Sequence, residues 1–84
     1  MRAEVVRLEV LRLIHQTPFP PFVLRLENGG QVVVSHPENM AFDPKTSGKP
    51  DFYVISSPLN VFGTFDSVTS VIRMDTGEPS NIAG

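Results

Sequence analysis

Cysteine is absent from this 84-residue chain, and so is tryptophan. The first absence excludes disulfides and thiolate metal sites. The only two histidines, His15 and His36, stand far apart with no ligand spacing around them, which argues against a structural zinc. Long apolar runs are missing too. None approaches the ~20 residues that a membrane-spanning helix needs. Charges interrupt every apolar run near the N-terminus, unlike a signal peptide. A soluble cytoplasmic protein with no cofactor is the expectation. Strong charge of either sign is also lacking: the formal net charge is −2. Up to Arg25, the basic residues Arg2, Arg7, Arg12 and Arg25 outnumber Glu4 and Glu9. Beyond it, Lys45, Lys49 and Arg73 face seven acids. This is not the footprint of a nucleic-acid binder, although an oligomer would gather Arg2, Arg7 and Arg12 if they shared a face.

The length makes one domain whose core is marginal on its own. With disulfides and metals excluded, self-association is the remaining remedy. Residues 4–16 carry the most ambiguous pattern. Val6, Val10, Leu13 and Ile14 fall at helical spacing. Glu4 near the start and Arg12 and His15 near the end match the helix dipole. The alternation of Val6-Arg7-Leu8-Glu9-Val10 reads as a strand instead, and helix is the favoured reading. Val5, Leu8 and Leu11 widen the apolar surface beyond one stripe, as expected of burial on two sides. Pro18 stops the element. Pro18-Phe19-Pro20-Pro21-Phe22 is then a rigid connector whose aromatics clamp the lead-in to a sheet. Its PxxP spacing is the sharper but weaker reading.

Residues 22–27 alternate, with Phe22, Leu24 and Leu26 on one face. Asn28-Gly29 is a hairpin turn signal, and Gly30 allows a two- or three-residue loop. The return strand is 31–35, rich in β-branched residues. Pro37 ends that strand, and Glu38-Asn39-Met40-Ala41 reads as a short turn or a strand re-entry. Asp43 to Asp51 is dense in turn residues and reads as an exposed, mobile connection. Further strands are expected at 52–56, 60–65 and 68–74. Gly63 marks a bulge or a close backbone approach, and a tight or helical turn is expected at Asp66-Ser67. The domain would span residues 1–76, with 77–84 a flexible tail.

Catalytic signals are weak. His36 beside Glu38 and Asn39 is the one cluster with general-base character, and no nucleophile accompanies it. Gly29-Gly30 opens onto a strand, not a helix that would hold phosphate. Ser47-Gly48-Lys49 lacks the rest of a P-loop. The chain is not expected to be an enzyme.

A helix followed by about five short antiparallel strands, with a short turn before the last, is the order of an Sm-like, SH3-type barrel. Leu24-x-Leu26-x-Asn28-Gly29 is similar to the strand-turn signature that opens that fold. Residues 62–72 resemble its closing strand pair. Over residues 8–75 the chain also resembles a group of short bacterial proteins. They share a Leu-rich helix (here Leu11 to Ile14), Pro-Phe-x-Pro-Phe (Pro18 to Phe22), a Gly turn (Asn28-Gly29) and His-Pro-Glu (His36-Pro37-Glu38). That second resemblance implies no function. The Sm resemblance implies a mainly β fold with an N-terminal helix and a strongly bent five-stranded antiparallel barrel. It also implies a homo-oligomeric ring joined through strands 60–65 and 68–74. Single-stranded RNA at the pore is implied as well, with His36, Asn39, Thr64 and Tyr53 as the contacts and stacking worth ~1–3 kcal/mol per base. The chain departs from the Sm pattern at Val34, where a glycine is usual, and at Glu38-Asn39, which only approximates the Asp/Asn loop. The Tyr-Lys-His run of the bacterial RNA chaperone is replaced by Thr64, Phe65 and Asp66, and a carboxylate repels phosphate. The expectation is thus a non-catalytic Sm-like module acting through self-association and protein contacts, with an RNA-binding ring as the alternative.

Overall fold

The ambiguous lead-in is a helix. In the computed structural model, which describes residues 2–56 and 59–75, α1 spans Ala3–Ile14. The helical stripe wins because it buries: Val6, Val10 and Leu13 are fully enclosed, each contributing ~1.5–3 kcal/mol of apolar burial. A strand over the same residues would turn half of them outward. The helix ends before the proline-rich connector, whose Thr17–Pro18 peptide is cis. Phe19 packs on the core and meets Phe22 edge-on, with ring centroids 5.9 Å apart, so the expected clamp is present.

Six strands follow: β1 (Phe22–Leu26), β2 (Gln31–Val34), β3 (Met40–Phe42), β4 (Asp51–Val54), β5 (Val61–Thr64) and β6 (Val68–Arg73). They form two antiparallel three-stranded sheets, ordered β2-β1-β6 and β3-β4-β5. The chain is therefore mainly β with one N-terminal helix. The expected five strands differ from this because the second one breaks. Pro37 opens a 3-10 turn, η1 (Pro37–Asn39), and the chain resumes as β3 in the other sheet. Three residues are too few to announce a strand by alternation. A second 3-10 turn, η2 (Phe65–Ser67), joins β5 to β6, as the short gap there required. The tail 77–84 lies outside the described residues.

The hairpin takes the longer of its two loop forms. Leu26 donates its N–H to the Gly30 carbonyl at 2.9 Å, and Gly29 donates to the Leu26 carbonyl at 2.9 Å. Glu27, Asn28 and Gly29 thus form a three-residue loop, with Gly29 at φ +87°, the left-handed residue that such a loop needs. The Asn28 side chain accepts from the Gly30 N–H at 2.8 Å. Register then follows, with Leu24 opposite Val32 and Phe22 opposite Val34.

The inner faces of both sheets share one core with α1. Phe65 sits in its middle, 5.5 Å from Phe42 and 5.3 Å from Phe52 by ring centroid. Gly63 lies directly opposite Phe52 in the regular β4–β5 ladder. A Cβ there would come within 2.9 Å of the Phe52 ring tip. Of the two readings of Gly63, close approach is the one realised.

Candidate functional site

The four residues expected to meet RNA do not form one site. His36 and Asn39 flank η1, where the chain crosses from one sheet to the other. With Val33, Ser35, Ile55 and Ser56 they line an open cleft of about 570 Å³. The crossing creates this cleft. The Ile55 N–H donates to the Asn39 carbonyl at 2.8 Å, one rung beyond the β3–β4 ladder, while β2 pairs with β1 in the other sheet. Tyr53 and Thr64 lie outside it, on the solvent face of the β3-β4-β5 sheet. Tyr53 stands opposite Phe62, and Thr64 opposite Asp51.

His36 and Glu38 are not in contact. Both are exposed, and among the described residues no hydrogen bond or ion pair joins them. No group of three or more His, Asp or Glu there is placed to hold a metal. No helix there is long and apolar enough to cross a membrane.

Nor do the N-terminal arginines make a basic face. Arg7 is buried at 1 % exposure and pairs with Glu4. Arg12 forks onto Glu9, Nε to Oε1 at 2.9 Å and Nη2 to Oε2 at 2.5 Å. That hydrogen bond raises the Arg12 pKa, with the Glu9 charge adding to it against a small desolvation. Only Arg2 of the three is left without an ion-pair partner among the described residues. The sequence could not separate these cases, because burial of an arginine depends on what packs against it from elsewhere in the chain.

The feature that sequence reasoning underrated is the outer side of β4 and β5. Phe62 is 74 % exposed and Leu59 73 %. Phe62 meets Tyr53 at a centroid distance of 5.7 Å, and Ile55, just past the end of β4, is exposed as well. β5 has a strand neighbour on one side only, and so has β6. The β5 backbone alternates: Phe65 donates to the Pro50 carbonyl at 2.9 Å, so in this ladder the groups of Gly63 and Val61 face β4. Those of Phe62 and Thr64 then face the open edge. An exposed aromatic on an unpaired edge strand is a pairing surface unless something blunts it. Here no charge lies within Val61–Thr64.

No protein-family model matches the chain, and no curated protein or solved structure matches it significantly.

Proposed function

We propose that this chain is a non-catalytic Sm-like module that works by self-association and protein contacts. The β5 edge of one copy pairs with the β6 edge of the next, and repetition closes a ring. The observation that carries this is the uncharged, aromatic, one-sided edge of β5. Strand order supports the barrel-like part of the reading. β6-β1-β2 continues through η1 into β3-β4-β5, which in this reading makes the two sheets halves of one bent meander with β5 and β6 as its outer edges; β2 and β3 have one ladder neighbour each as well. A heterologous contact of this kind joins head to tail and closes when its rotation permits. Size-exclusion chromatography with light scattering tests it. The wild type runs as an oligomer at micromolar concentration, and Phe62→Asp runs as a monomer with an unchanged circular dichroism spectrum. A monomeric wild type removes the proposal.

A second reading, a single-stranded RNA-binding ring, has one observation in its favour. The exposed Tyr53–Phe62 pair is a surface on which a base would stack, with Thr64 beside it and His36 and Asn39 in the neighbouring cleft. Fluorescence anisotropy with short U-rich and A-rich oligonucleotides decides it. Absence of binding at low salt, where phosphate contacts are strongest, eliminates RNA.

A further inference from the structure

The segment between β3 and β4 was expected to be a mobile connection. It is a built loop instead. The Asp43 carboxylate accepts the Lys45 N–H at 2.9 Å. Gly48 donates to the Lys45 carbonyl at 2.9 Å. Ser47 takes a positive φ of 63°, a conformation that a non-glycine residue holds only with local support. That support comes from far away in sequence. The Ser47 N–H donates to Glu4 Oε1 at 3.0 Å. Arg7 Nη2 donates to the Gly48 carbonyl at 3.0 Å and to the Lys49 carbonyl at 2.5 Å. The other nitrogen of the fork, Nη1, donates to Glu4. Glu4 and Arg7 are one turn apart on α1, so they face the loop together. The Arg7 guanidinium also lies 5.5 Å from the centre of the Phe65 ring, which holds it between the core and the loop.

Within the loop the Asp43 carboxylate accepts from the Lys45 and Lys49 backbone. Among the described residues, the hydrogen bonds that reach residues 44–49 from outside residues 43–50 come from the Glu4 and Arg7 side chains. The loop has no strand partner of its own, and Pro44 to Ser47 are exposed. Burying a guanidinium is costly unless its donors are satisfied. Here two backbone carbonyls and a carboxylate satisfy the terminal nitrogens. Nε is buried without a hydrogen-bond partner among the described residues, so the loop carbonyls offset only part of the cost of burying Arg7, and opening the loop adds further unpaired donors to it.

We propose that Glu4 and Arg7 form a latch, and that loop 43–50 holds its shape only while α1 presents both. The latch makes the exposed Lys45 and Lys49 surface conditional on the seating of α1. Opening it releases the loop locally and leaves both sheets intact, because no ladder hydrogen bond runs through residues 44–49.

Limited trypsin digestion of the full chain reads this directly, with products identified by mass. Within the loop, Lys45–Thr46 is the one bond trypsin cuts, since Pro50 protects the bond after Lys49. Glu4→Ala, at a half-exposed position, is expected to raise cleavage at Lys45–Thr46 several-fold. Arg7→Met, which keeps an unbranched apolar stem, is expected to raise it at least tenfold. Amide-exchange protection of the β1–β2 hairpin stays at the wild-type level in Glu4→Ala. Arg12→Ala breaks the other ion pair of α1, away from the loop, and leaves cleavage unchanged. The proposal is overturned if both latch variants are cut at the wild-type rate. It is equally overturned if Arg12→Ala accelerates cleavage as much as they do, or if hairpin protection in Glu4→Ala falls in step with cleavage.

Discussion

Glycines 29 and 63 show how one residue type answers two different demands. Gly29 meets a backbone demand: its φ is +87° and no atom lies near the place of a side chain. Gly63 meets a packing demand: the space above it belongs to Phe52, which is 1 % exposed and cannot swing aside. Gly29→Ala is therefore expected to cost ~1 kcal/mol through strain alone. Gly63→Val is expected to cost more, ~1–3 kcal/mol, through overpacking. Urea unfolding of the two variants gives both numbers. Asp43 supplies a prediction in pH. The Lys45 N–H bond lowers its carboxyl pKa below the ordinary 3.8, against desolvation, and is assisted by a bond to the Lys49 backbone and then by the charges of Lys45 and Arg7. A lowered carboxyl stabilises the folded state in full above its ordinary value and loses that contribution as the pH falls through the lowered one. The Lys45 amide resonance is expected to follow this titration, with a midpoint below the ordinary carboxyl value of 3.8.

Among the elements, α1 carries the sharpest contrast between neighbours. Leu13 is fully buried and Leu8 is 60 % exposed, though both belong to the same apolar-rich helix. Leu13→Ala is expected to cost ~2–5 kcal/mol, while Leu8→Ala stays within ~0.5 kcal/mol of the wild type. Thermal unfolding at low protein concentration checks the pair. If Leu8 meets a neighbouring subunit, its cost rises with protein concentration. The hairpin β1–β2 was the element most legible in the sequence, since its alternation and its Asn-Gly-Gly turn are local signals. β3 was the least legible. Its three residues become a strand because Ala41 pairs with Tyr53 and Phe42 with Phe52, partners ten or more positions away.

For the whole molecule, the two sheets and one helix enclose a single core, and the β5 and β6 edges are left with one neighbour each. Association through them makes stability depend on protein concentration. The melting temperature of the wild type is expected to rise between about 1 and 100 µM protein, and that of Phe62→Asp to stay constant over the range. Scanning calorimetry at several concentrations measures both. A concentration-independent wild type would place the exposed aromatics outside any interface between copies.

By itself the sequence determined what depends on nearest neighbours along the chain. It set the proline stop, the hairpin turn at Asn28-Gly29 and the short turn before the last strand. These follow from backbone preference, which acts over a few residues, whereas burial of Val6, Val10 and Leu13 decided for helix over strand. Only the tertiary structure decided which polar and aromatic residues go where. Arg7 is enclosed and Arg12 is not, because a loop forty positions later supplies carbonyls to the first and nothing covers the second. Alternation puts Phe62 and Phe65 on opposite faces, and it is the packing of Phe65 against Phe42 and Phe52 that makes its face the buried one. His36 and Asn39 share a cleft, whereas Tyr53 and Thr64 lie on another face, because the chain changes sheets at Pro37. Burial depends on what packs opposite, and that partner is chosen by the fold.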